Sequence, residues 1–162
     1  MEMRYAVIEV QNLPYPQGLG KDEYPSLKSR MQHLLGNTWS NQDVNKNAFW
    51  TLEYQTILHE ELSAGFDRAG RIEDIVRDAT ELAQTVAGFA QGAASVDESV
   101  FNSAVPAKTS NAYELWLRDT PILGTGSDGT TFFVDGRHRT SYLRSFVQQR
   151  DPSFPVLVRF AD

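Results

Sequence analysis

Apolar residues gather in strand-like runs at the two ends of the chain and recur at helical spacing through its middle. Arg4-Tyr5-Ala6-Val7-Ile8-Glu9-Val10 is rich in strand formers and breaks off at Asn12-Leu13-Pro14-Tyr15-Pro16. Tyr24-Pro25-Ser26 predicts the opening of a helix with Leu27, Met31, Leu34 and Leu35 on its apolar side, stopping near Gly36-Asn37. Helical spacing returns from Asn47 to Ala64 through Phe49, Leu52, Ile57, Leu58 and Leu62. It returns again from Ile72 through Ile75, Val76, Ala79, Leu82, Ala83 and Val86 to Phe89. Glu73 and Asp74 suit the start of that last helix, and Gly88 and Gly92 weaken its end.

Small and polar residues from Gln91 to Asn111 predict a loop, and Ala112 to Arg118 predicts a short helix. Ile122-Leu123-Gly124, the turn residues Gly126-Ser127-Asp128-Gly129 and Thr130 to Val134 predict a hairpin. A helix and a terminal strand, Phe154 to Phe160, follow. The end strands must meet in one sheet, or their apolar runs would be exposed. The expectation is a single α+β domain over residues 1–162, with a small mixed sheet and a helical insertion at about 18–118.

A hydrophobic content of 41% fits a soluble globular chain with a real core. The absence of cysteine excludes disulfides, thiolate metal sites and cysteine nucleophiles. A net charge of -6 argues against attraction to DNA by the molecule as a whole. Arg137, Arg139, Arg144, Arg150 and Arg159 nevertheless predict a local basic patch. No apolar run approaches the roughly 20 residues that span a bilayer. Met1-Glu2-Met3-Arg4 lacks the order of a signal peptide, so no membrane association and a cytoplasmic location are expected.

The sharpest chemistry lies at Asp135-Gly136-Arg137-His138-Arg139-Thr140-Ser141, between the hairpin and the following helix. A strand that turns through glycine into a helix places free N–H groups and the positive end of a dipole together, which suits a phosphate. Gly136 would let the backbone approach the anion, and Arg137 and Arg139 would neutralise and orient it. Thr140 and Ser141 would cap the helix and offer hydroxyls. His138 would donate a hydrogen bond or act as acid or base. Asp135 would position His138, hold Mg²⁺ or activate a water.

Val134-Asp135-Gly136-Arg137-His138-Arg139-Thr140, with the helix after it and Pro155-Val156-Leu157-Val158, resembles the signature of the ParB/sulfiredoxin-like superfamily. The N-terminal segment from Tyr5 to Pro16 is similar to the opening strand of that family. The resemblance covers roughly the first 16 and last 45 residues and treats the helical middle as an insertion. It implies a site for nucleotide phosphates, with ATP or CTP and possible Mg²⁺ as ligands. The implied activity is phosphoryl hydrolysis or transfer, of ATPase or nuclease type, in a plasmid or phage accessory role such as fertility inhibition. Without cysteine, sulfiredoxin chemistry is not expected. The chain ends after its final strand, so centromere binding through a helix-turn-helix region is not expected either.

The alternative is a non-enzymatic inhibitor that grips a protein partner through the helical insertion. Nucleic acid bound without sequence specificity is a further possible partner; sequence-specific DNA binding is not expected, since no recognition-helix motif is evident. His59-Glu60-Glu61 lacks the second histidine of a metal motif and predicts a solvated helix face. Glu53 and Glu60 would supply a distant carboxylate if the insertion folds over the site. His33 is expected to be structural, and Trp39, Trp50, Trp116, Phe49 and Tyr54 core aromatics. Gly124-x-Gly126-x-x-Gly129 matches a dinucleotide fingerprint by letters alone, because it precedes a strand.

Overall fold

The β-branched and aromatic runs at the two ends pair with each other. A computed structural model describes residues 3–67, 71–105 and 119–161. Strand β1 (Met3–Glu9) runs antiparallel to β5 (Pro155–Ala161), in register from Met3 opposite Ala161 to Glu9 opposite Pro155. β3 (Ile122–Thr125) lies parallel to β5 on its other side, and β4 (Thr131–Asp135) is antiparallel to β3. A two-residue strand β2 (Val96–Asp97) completes the order β2-β1-β5-β3-β4. The fold is therefore α+β, with a five-stranded mixed sheet and six α-helices among the described residues.

The hairpin forms where the sequence places it. Gly126 N–H donates to Thr130 O at 2.8 Å, Asp128 Oδ1 accepts from Thr130 N–H at 3.0 Å, and Gly129 supplies a φ of +83°.

Helix α1 (Pro25–Leu35) opens on its proline and ends at Gly36. The predicted helix from Asn47 divides in two: α2 (Gln42–Ala48), capped by Asn41, and α3 (Leu52–Asp67). Thr51 Oγ1 accepts from Tyr54 N–H at 3.3 Å and restarts the helix, because a capping side chain competes with an unbroken backbone ladder. Leu52 is consequently 79% exposed at the first turn and not on the apolar face. Helix α4 (Ile72–Ala90) buries Ile75, Leu82, Ala83 and Val86 and packs on β1 and β5, while Phe89 faces outward.

The loop expected from Gln91 to Asn111 is corrected in part. Within it Val96–Asp97 pairs with β1 and Glu98–Ala104 forms helix α5. Asp97 Oδ1 accepts from Val100 N–H at 2.8 Å, and the Phe101 ring stacks on Tyr5 with centroids 3.9 Å apart. Small residues form regular structure here because one aromatic pair anchors them to the sheet. The helix expected over Ala112 to Arg118 lies outside the described residues, as does Trp116.

Helix α6 (Arg137–Val147) connects β4 to β5 and is buried along most of its length. Tyr142 stacks on Phe66 of α3 at 4.8 Å, and Phe146 meets His59 at 4.9 Å. Buried side chains from the chain ends and from the helical middle form one continuous core. Phe49 and Tyr54 are fully buried within it, whereas Trp39 and Trp50 pack at its edge. No described helix is long and apolar enough to cross a membrane.

Candidate functional site

Strand β4 ends at Asp135, Gly136 turns the chain, and α6 starts at Arg137. Gly136 adopts φ +89°, a left-handed conformation that glycine takes without strain. A Cβ there would lie 3.0 Å from Pro121 Cα and 3.1 Å from Arg139 Nη2, so the close approach also requires glycine. Beside this junction lies a cleft of about 260 Å³. Asp135, Gly136, Arg137, His138 and Arg139 form one wall. Lys21, Tyr24, Gly65, Phe66 and Asp119 close the others. The insertion therefore folds over the predicted loop.

The sequence-predicted residues divide sharply at this cleft. Arg137 Nε donates to Gly18 O at 2.7 Å, and burial lowers its affinity for protons against the opposing field of Asp135. Arg139 is 9% exposed and hydrogen bonds through Nη1 to Asp119 O, with the Asp119 carboxylate 3.9 Å from Nη2. Burial lowers its pKa as well, opposed by Asp119 and Asp135. Both guanidiniums stay charged at neutral pH, since an arginine starts so far above it.

His138 is only 7% exposed, and its Nε2 accepts the Gly20 N–H at 3.0 Å. Burial first, then the charges of Arg137 and Lys21, push its pKa down to about 3. The ring is thus neutral at pH 7, with its Nε2 lone pair engaged by the Gly20 N–H. Nδ1 then carries the proton and can donate a hydrogen bond, but no ring lone pair is left for a base role.

Thr140 and Ser141 are buried and lie one turn into α6, away from the residues that line the cleft. The helix N-cap is Gly136, and Thr140 N–H already donates to Gly136 O at 3.0 Å. Their expected capping role is therefore corrected: the helix starts four residues earlier than a threonine cap at Thr140 would require. Among the described residues the Thr140 hydroxyl has no hydrogen-bond partner.

The predicted basic patch also dissolves. Arg144 is 1% exposed and points inward. Its Nη2 donates to Val10 O and Leu13 O at 2.7 Å, and its Nη1 to Pro14 O at 2.9 Å. Arg159 pairs with Asp119 at 2.9 Å and Arg150 lies near the far end of α6. Basic residues close in sequence are dispersed because a helix points successive side chains in different directions.

Glu60 and Glu61 pair with Arg30 at 2.9 and 3.0 Å, and neither Glu53 nor Glu60 lines the cleft. His59 is not part of a solvated face: it packs between Tyr142 and Phe146, and burial lowers its pKa. His33 is exposed in the last turn of α1.

Sequence reasoning missed Lys21, Tyr24, Phe66 and Asp119. One signal was present: Gly18-Leu19-Gly20-Lys21 joins two glycines with a lysine, a composition suited to a strained strap carrying a cation. Gly18 and Gly20 have φ of +116° and +140°.

Three cations and two carboxylates share the cleft, together with the start of α6, whose first N–H groups have no carbonyl one turn earlier to accept them. Such a set complements an anion that carries a divalent cation. Among the described residues no group of three metal-ligating side chains occurs. Asp135, with Asp119 nearby, suits a Mg²⁺ that takes most of its oxygens from phosphates and water. Comparison with family models, curated proteins and solved structures yields no match for this chain.

Proposed function

We propose that the chain is a nucleoside-phosphate-binding domain of the ParB/sulfiredoxin-like type. It holds the phosphates of ATP or CTP at the junction of β4 and α6. The observation that carries this reading is the cleft itself. A left-handed Gly136 caps a helix whose first turn carries Arg137 and Arg139, and Lys21 stands among the residues that close the other walls. Phosphate oxygens would accept from the first N–H groups of α6 and from the Arg137 guanidinium and the Lys21 ammonium. Asp135 would hold a Mg²⁺ against those oxygens, which would spread the charge of a phosphoryl group during transfer.

The occupied Nε2 of His138 favours a second reading, in which the ligand is bound without turnover and the protein acts through a partner. A Leu52 that is 79% exposed on the insertion supplies apolar surface for such a partner.

A thermal-shift panel of ATP, ADP, CTP, GTP and a short single-stranded DNA, with and without Mg²⁺, tests the proposal. Saturating ATP or CTP raises Tm by about 5 °C if the site is real. No shift with any nucleotide sinks it. Release of phosphate from the bound nucleotide, or its absence over hours, separates the enzyme from the binding protein.

A further inference from the structure

The side chains of α6 are bonded to one short segment far away in sequence. Arg144 holds the carbonyls of Val10, Leu13 and Pro14, Arg137 holds that of Gly18, and His138 accepts the N–H of Gly20. The segment between these anchors turns through two glycines with positive φ and delivers Lys21 and Tyr24 to the cleft. Its path is tightly confined. A Cβ on Gly20 would lie 2.5 Å from Lys28 Cβ and 2.6 Å from Lys28 Cα, and one on Gly18 would lie 2.9 Å from Ser40 Cα.

We propose that His138 is a positioning residue: by accepting the Gly20 N–H it latches this strap to the start of α6 and so fixes Lys21 and Tyr24 as cleft wall. Ligand affinity then depends on a bond that does not touch the ligand.

Three features support the assignment. The bond is buried, so an unaccepted Gly20 N–H would be left without water to replace its partner. Gly20 immediately precedes the cation that faces the cleft, so a displaced Gly20 carries Lys21 with it. The groups around the imidazole are Lys21 and the Tyr24 ring from the strap, 5.6 Å away in the case of Tyr24, with Arg137 and Arg139 from α6. Asp135 and Asp119 line the same cleft. The cations disfavour a second proton on the ring and keep Nε2 available as an acceptor.

The effect on the ligand rests on the phosphate reading above, whereas the latch does not, and the test separates them. In the full chain at pH 7, ¹⁵N resonances of the His138 ring report its tautomer, and amide exchange reports Gly20. Titration with pyrophosphate reports the cleft. The latch requires the Nδ1–H tautomer, with Nε2 unprotonated. His138→Leu is expected to speed exchange at Gly20 and weaken pyrophosphate binding by about tenfold each. His138→Gln, whose amide oxygen can accept, restores both in part.

An Nε2–H tautomer overturns the proposal, and so does unchanged Gly20 exchange in His138→Leu. If the leucine variant does not fold, the wild-type tautomer decides the matter alone. A wild type that ignores pyrophosphate ends the phosphate reading, while tautomer and exchange still judge the latch.

Discussion

The guanidinium of Arg144 donates to the carbonyl of Pro14 at 2.9 Å, across 130 positions of sequence. The same group reaches Val10 O and Leu13 O, and lies 4.1 Å from the centre of the Tyr15 ring. Burial pushes its pKa down to about 10, so it still carries its charge at neutral pH. An arginine that satisfies three carbonyls at a chain exit replaces the backbone partners that Pro14 and Pro16 break off. Arg144→Met would strand Leu13 O and Pro14 O, while Val10 O keeps the Leu13 N–H at 3.2 Å, and is expected to cost about 3 kcal/mol, lowering Tm by roughly 6–12 °C. Thermal melts check it; a loss under about 1 kcal/mol would mean the carbonyls find other partners.

Gly136 and Gly92 share nearly the same backbone angle, φ +89° and +88°, in different surroundings. A Cβ on Gly92 meets nothing within 4 Å, whereas one on Gly136 meets Pro121 at 3.0 Å. Gly92→Ala should therefore cost only the strain of the left-handed backbone, about 1 kcal/mol. Gly136→Ala should cost about 2–3 kcal/mol, because Pro121 must move as well. Urea denaturation of both variants measures the difference. Equal losses would show that the contact with Pro121 relaxes freely.

Stability should fall in mild acid through His138. Its folded pKa, about 3, lies below the usual value of 6.5, so the unfolded chain binds the proton more readily. The contribution is complete above about pH 6.5 and shrinks as pH falls toward about 3, by at most about 1.4 kcal/mol per unit. His59, lowered by burial among aromatic rings, acts in the same direction. Urea midpoints at pH 7.5, 6.0 and 4.5 should therefore drop less for His138→Gln than for the wild type. Parallel curves would mean that the imidazole titrates normally.

Lys21 is the cleft cation with the least structural employment. Its ammonium is 3.8 Å from Glu23 and its side chain is 44% exposed, whereas Arg137 and Arg139 are bonded to backbone carbonyls. Lys21→Gln should leave the melting temperature of the free protein unchanged within about 1 °C. Nucleotide affinity should fall by about five- to tenfold, with a weaker dependence on salt. Isothermal titration at two salt concentrations separates these effects. An unchanged Kd would remove Lys21 from the site.

Much of the sheet was legible because its residues obey local rules. Val7, Ile8, Val156, Leu157 and Val158 announce strands, and Gly126 to Gly129 announces the turn that joins two more. The junction at Gly136 was readable for the same reason, as a strand, a glycine and a helix follow one another directly. What escaped depends on distant partners. Val96 and Phe101 stand apart among small and polar residues, form no periodic run, and are ordered by Tyr5. His138 looked reactive because its partner, Gly20, lies 118 positions away, and no local pattern marks that bond. Arg144 sat among arginines that resemble a surface patch until the helix turned it inward.

The placement of β5 has a consequence for how the molecule assembles. β2 and β1 make one half of the sheet and β3 and β4 the other, and among the described residues the halves join through β5. That strand is the latest of the five in sequence. Until it leaves the ribosome, β1 and β3 each present an unpaired apolar edge, open to pairing with other chains. Folding must then close a long loop to align Met3 with Ala161, so pairing of β5 is expected to lag behind the local helices and the hairpin.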